Sequence, residues 1–238
     1  MSLYRDEGVV LRTMRLGEAD RIVTLMTKGH GKVRAVAKGV RRTKSKFGAR
    51  LEPLSHVTML CWQGRELDIV NQAEVTDTFR AVREDLGRVS KAFTVLEVVD
   101  QISQERHANP RLYDMVVGAL RALDAEDAPL LVPAFCLKAL ALEGSAPLLD
   151  ECASCGVRHD LVAFDLVEGG VLCRSCRRGR SVSPEALALL RRILGGGLAS
   201  ALAEPEGPLV AEVTDLVTEA MEGHLDRRLR SLRASPTA

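Results

Sequence analysis

The chain has 238 residues, of which 46% are hydrophobic and 27% charged, so it is long enough for one or two domains with real cores. Its 33 basic and 32 acidic side chains nearly cancel, which excludes a uniformly basic or acidic protein and makes any charged surface a local one. No apolar run approaches the length of a membrane span and the N-terminus lacks a signal-peptide core, so the expected location is the cytoplasm, where six cysteines are thiols or metal ligands rather than a disulfide framework.

From Gly8 to about Thr76 the apolar residues recur with a period near two. GVVLRT, DRIVTLMT, KVRAVAK, HVTMLCW and LDIVNQAEV give five strands, separated by turn material at Gly17, Gly29 to Gly31, Gly39 to Gly48 and Gly64. Within the third strand Val33, Ala35 and Ala37 share one face while Lys32, Arg34 and Lys38 share the other. Five short strands carrying a basic surface predict an oligonucleotide-binding barrel.

That basic surface is concentrated between Lys28 and Arg50, a single stretch that holds nine positive charges and no Asp or Glu. Five of the chain's seven lysines lie there, and lysine contacts phosphate without demanding bidentate geometry. Lys32, Arg34, Lys38, Arg41, Arg42, Lys44, Lys46 and Arg50 are the candidate nucleic-acid contacts, weighed against a solvated charged loop. Aromatic residues are scarce; Phe47 is the candidate for base stacking, and Trp62 is read as a cap on the barrel core.

Past Phe79 the period becomes helical. Val82, Leu86, Val89, Phe93, Leu96 and Val99 predict one helix, Leu112 to Leu123 a second, starting after Asn109-Pro110, and Ala134 to Leu142 a third. Ser183 with Pro184 and Glu185 predicts the start of a fourth helix, stopped at Gly195 to Gly197. A last helix is expected over about Pro208 to Leu232, with Arg227, Arg228, Arg230 and Arg233 in its final turns as an auxiliary contact or a complement to the helix dipole.

Between these helices lie two Cys-x-x-Cys pairs, Cys152 with Cys155 and Cys173 with Cys176, separated by the stretch from Gly156 to Leu172. The spacing predicts a structural zinc site in which four thiolates close the coordination sphere and leave no place for substrate. His159 is a weaker alternative ligand. Cys61 and Cys136 stand in apolar stretches and are expected to be buried. The chain has no phosphate-binding loop, metalloprotease helix motif or nucleophile elbow.

The stretch EGVVLRTMRLGEADRIVTLMTKGHGKVRAVAKGVRRTKSKFGARLEPL, the paired cysteines and HLDRRLRSLR near the end together resemble the bacterial RecO family of DNA recombination and repair proteins. The resemblance implies an α+β multidomain protein: an oligonucleotide-binding barrel over 1–78, a helical domain over 79–150 and 183–238, and a four-cysteine zinc module over 151–182 inserted in it. It implies a non-enzymatic, nucleoid-associated mediator that binds single- and double-stranded DNA and anneals complementary strands. Such a mediator works with RecR to help load the recombinase RecA onto strands covered by single-stranded DNA-binding protein. Carried over by position, Lys38, Arg41, Arg42, Lys44 and Lys46 would contact DNA, with Lys32 and Arg34 beside them, and the four cysteines would hold Zn2+. An RNA-binding barrel with a zinc ribbon is the second expectation, and a nuclease or thiol oxidoreductase the third.

Overall fold

A computed structural model describes residues 2–229 and Ser231. The chain forms two compact units: one built from the residues up to Glu126, joined by Ser231, the other from Asp127 on.

The first unit opens with five strands: β1 (Leu3–Leu16), β2 (Asp20–Thr27), β3 (Gly31–Ala37), β4 (His56–Trp62) and β5 (Asp68–Asp77). They close into a barrel in the order β1-β2-β3-β5-β4, with β3 and β5 parallel and the other pairs antiparallel. This is the oligonucleotide-binding arrangement that the alternation predicts. Alternate residues fill the interior: Val23 and Leu25 from β2, Val33 and Ala35 from β3, Val57, Met59 and Cys61 from β4, Val70 from β5.

Three helices follow: α1 (Arg80–Glu84), α2 (Leu86–Ile102) and α3 (Pro110–Ala125). The single helix expected from Val82 to Val99 is broken, because Asp85 takes an extended conformation and caps α2 through its carboxylate, which accepts from the Arg88 N–H. Leu86 and Phe93, expected on the buried stripe, are 73% and 41% exposed; Leu96 and Val99 are buried as expected, and Ala92, Val95 and Val98 complete the buried face. α3 starts at Pro110, two residues before the expected Leu112, because Asn109 caps the Leu112 N–H and Pro110 fits the first turn instead of breaking the helix.

α2 and α3 lie against β1 and β2, and β2 is buried on both faces from Ile22 to Thr27. A buried hydrogen bond of 2.7 Å between His56 Nε2 and the Tyr113 hydroxyl joins β4 to α3. The connection between α2 and α3 then runs beside β3, where the Arg106 N–H donates to the Lys32 carbonyl at 2.9 Å. Gly31 makes this approach possible. Its φ is +68°, and a Cβ there would stand 1.9 Å from the His107 carbonyl oxygen.

The second unit holds α4 (Leu131–Leu142), the hairpin β6 (Leu161–Asp165) and β7 (Gly170–Cys173), the short β8 (Arg180–Ser181), and α5 (Pro184–Leu194), α6 (Leu198–Leu202) and α7 (Pro208–Leu225). α4 is apolar almost all round and accordingly buried, packed on α7 and α5. Ser183 caps α5 through the Ala186 N–H as its sequence predicts. α7 is shorter than expected: Asp226 turns left-handed at φ 49° and ends it. Arg227 and Arg228 fall after the helix, while Arg230 and Arg233 lie outside the described residues.

Candidate nucleic-acid interface and metal centre

Between β3 and β4 the chain makes a loop, residues 38–55, built from successive turns. Gly39 enters it at φ +67°, its N–H donating to Asp20 Oδ1 at 2.7 Å, and the Arg41 N–H donates to the Ala19 carbonyl at 2.9 Å. Phe47, Leu51 and Leu54 then turn inward and are 1 to 2% exposed, Phe47 and Leu51 within the barrel core. Three apolar anchors inside an otherwise polar loop leave the charged side chains only the outside.

Lys38, Arg41, Arg42, Lys44, Lys46 and Arg50 are all exposed there. None of the six pairs with a carboxylate among the described residues. Arg41 donates to the Glu18 carbonyl at 2.8 Å, Lys46 to the Asn71 carbonyl at 2.7 Å and Arg50 to the Lys46 carbonyl at 2.5 Å, so these three brace the loop with backbone oxygens and keep their charge. The side chains of Lys38, Arg42 and Lys44 make no polar contact within the described chain. Six uncompensated cations between Lys38 and Arg50 make a strongly positive surface in a protein whose charges otherwise balance.

Three expected members of the surface are corrected. Lys32 faces α2: its ammonium donates to the Asp100 carbonyl at 2.6 Å, stands 3.6 Å from the Asp100 carboxylate and is 14% exposed. Arg34 pairs with Glu105 at 3.5 Å. The outer face of β3 is thus charge-compensated and partly covered, something strand alternation alone does not reveal. Phe47 is buried and offers no ring for stacking; the Lys46 ammonium lies 5.0 Å from its ring centroid, over the buried ring. Trp62, read as a core cap, points outward and is 39% exposed.

At one end of the barrel interior Asp68 is wholly buried. Its carboxylate accepts from the Tyr4 hydroxyl, from the Gly64 N–H at 2.9 Å and from Arg106 at 2.8 Å. Burial by itself would raise the Asp68 carboxyl; these three donors outweigh it and hold it below the ordinary carboxylate range. The cluster is a fastening between strands, the loop after β4 and Arg106.

In the second unit the two Cys-x-x-Cys turns are brought together by β6 and β7, whose register pairs Leu161 with Cys173 and Asp165 with Gly170. The hairpin turn covers residues 166–169, with Gly169 at φ +74°. The sulfurs of Cys152, Cys155, Cys173 and Cys176 all lie within 4.8 Å of one another, and those of Cys155 and Cys173 are 3.7 Å apart. Four sulfurs bound tetrahedrally to zinc at about 2.3 Å would be spaced about 3.8 Å. The donor set therefore fits a divalent metal ion. Burial opposes ionisation of Cys152, but backbone N–H groups of Cys173, Cys155 and Ser154 aimed at its sulfur prevail and bring the thiol down to about 6. Hydrogen bonds with Cys155 and Cys173, with burial, push Cys176 up to about 12. His159 is outside this set, 80% exposed and 3.1 Å from Asp160. Cys61 and Cys136 are buried, and burial raises each thiol to about 12.

Residues 1–79 match the family model described as Recombination protein O N terminal, and residues 83–233 match Recombination protein O C terminal. The chain belongs to the RecO family. As a RecO-family protein it functions in DNA recombination and repair and binds DNA, and the five-stranded barrel and four-cysteine cluster on its two units accord with that. Among the described residues no helix is long and apolar enough to cross a membrane.

Proposed function

We propose that this protein is a DNA-annealing recombination mediator that works without breaking covalent bonds. It binds single- and double-stranded DNA through the loop carrying Lys38, Arg41, Arg42, Lys44, Lys46 and Arg50. Together with RecR it helps load RecA onto strands covered by single-stranded DNA-binding protein. Zn2+ is the ion held by Cys152, Cys155, Cys173 and Cys176, in a closed, structural site. The observation that carries the reading is the set of six exposed cations without a carboxylate partner among the described residues.

Such a surface attracts the phosphate backbone and does not address base edges. Two strands held against it lose much of their mutual repulsion while their bases stay free to pair. Annealing then needs no nucleotide hydrolysis, in keeping with the missing phosphate-binding loop.

Strand annealing and oligonucleotide binding at several salt concentrations test this. If about five cations contact phosphates, the log-log salt slope on single strands is about −3.5. Lys38→Glu, Arg42→Glu and Lys44→Glu together, at three positions with no side-chain polar contact to preserve, should abolish annealing and flatten the slope while leaving the circular dichroism spectrum unchanged. Full annealing by a folded triple variant would refute the assignment.

A further inference from the structure

We infer that the open face of β1, β4 and β5 carries a base-stacking site for single-stranded DNA, with Trp62 as its platform. The inference rests on the proposed DNA-binding role and adds the surface where bases, rather than phosphates, are held.

The barrel's outer surface divides in two. The β1–β2 side is covered by α2 and α3, and the start of β3 by the segment that follows α2, so that of the usual ligand strands of this fold β2 is buried and β3, charge-compensated on its outer face, is only half-exposed. On the other side the sheet stays open, and register arranges its outward residues in three rungs. Leu3 lies opposite Trp62 and Trp62 opposite Ile69; Arg5 opposite Leu60 and Leu60 opposite Gln72; Glu7 opposite Thr58 and Thr58 opposite Glu74. The first rung is apolar and uncovered, with Leu3 45% and Trp62 39% exposed. The last is acidic and repels phosphate.

A single apolar row is too small to dock a protein partner, but it matches the face of one or two nucleobases. Cations surround it. Arg5 on the next rung and Arg65 in the turn after β4 are exposed, and neither has an ion-pair partner among the described residues. Lys46 of the basic loop is anchored on the Asn71 carbonyl, two residues along β5 from Ile69. By strand geometry Asn71 lies about 8 Å from Trp62, two residues along β5 and one strand across. A strand whose phosphates lie on the loop is thereby led to the indole.

Trp62 is held on a rigid support. Its neighbour Cys61 is buried in the barrel core, and the turn after it is fixed by the Gly64 N–H on Asp68 and by the Gln63 N–H on the Ser2 carbonyl at 2.8 Å. Little ordering is left to be done on binding.

Trp62 is the sole tryptophan of the chain, so its emission reports this site alone. Titration of the full-length protein with oligothymidylate, followed by intrinsic fluorescence and by anisotropy of the labelled oligonucleotide, should show quenching that saturates with binding. Trp62→Ala should bind single strands roughly 5- to 100-fold more weakly, and Trp62→Phe should stay within about threefold of the parent. The salt slope and duplex affinity of Trp62→Ala should not change, because phosphate contacts remain and duplex bases are already stacked. Binding seen by anisotropy with no quenching and no loss in Trp62→Ala would overturn the stacking site and leave the DNA-binding role intact. No binding by anisotropy would remove both.

Discussion

A cation left in water on a loop costs the fold nothing, and Lys38, Arg42 and Lys44 are left there, whereas Lys32, at the start of the preceding strand, is drawn against Asp100. What separates them is the element alongside: Lys32 faces α2, and the three loop cations face solvent. Phe47 turns inward and shapes the loop around itself, so its worth is in stability and not in nucleobase contact. Phe47→Ala should cost about 3 to 5 kcal/mol of unfolding free energy, a typical value for a phenylalanine removed from a core. Denaturant unfolding would measure it, and a loss below about 1 kcal/mol would show that the ring does not anchor the loop. Sequence identified the cations of this loop correctly as a local field but could not tell a buried phenylalanine from an exposed one. Nor could it foresee Glu105 beside Arg34, since that partner follows α2 in the chain, with β4 and β5 also in between.

At the scale of elements, what was legible followed from short-range periodicity. All five barrel strands cover the stretches where alternation puts them, because a strand with one face in the core must alternate, but β1 begins at Leu3, ahead of the expected Gly8. The helix start at Pro184 was legible because a capping side chain and a first-turn proline act within one turn, whereas Asn109-Pro110, expected to precede the helix, is its cap and first residue. The break at Asp85 and the exposure of Leu86 and Phe93 were not, since these depend on which elements lie alongside. The cysteine hairpin is the element most dependent on something besides its own side chains. Its small core is Cys152, Ala163, Leu172 and Cys173, with Ala153, Val157, Leu161 and Cys176 packed against it, so three of the four sulfur ligands belong to this cluster. A structural zinc site supplies roughly 10 to 16 kcal/mol of apparent binding energy, more than so few apolar residues provide. Chelation should therefore open residues 152–176 to protease while β1 to β5 stay resistant. Mass-spectrometric mapping of the cleavage sites checks this, and equal protection of the hairpin with and without metal would contradict it.

Over the whole molecule, the cationic loop and the cysteine cluster belong to different compact units, each with its own core. A metal ion that binds only folded protein stabilises the unit that holds it, by an amount that grows with the logarithm of free metal over its dissociation constant. Differential scanning calorimetry of the full chain should accordingly resolve a metal-dependent and a metal-independent transition. Chelator should lower only the former, and the metal-free protein at a temperature below both transitions should bind single strands within about threefold of the loaded protein, because no phosphate-facing cation is lost with the metal. Equal downward shifts of both transitions, or loss of binding on chelation, would mean that the metal centre supports the barrel. In that event the four cysteines would be part of the DNA-binding apparatus rather than a fastening of the second unit.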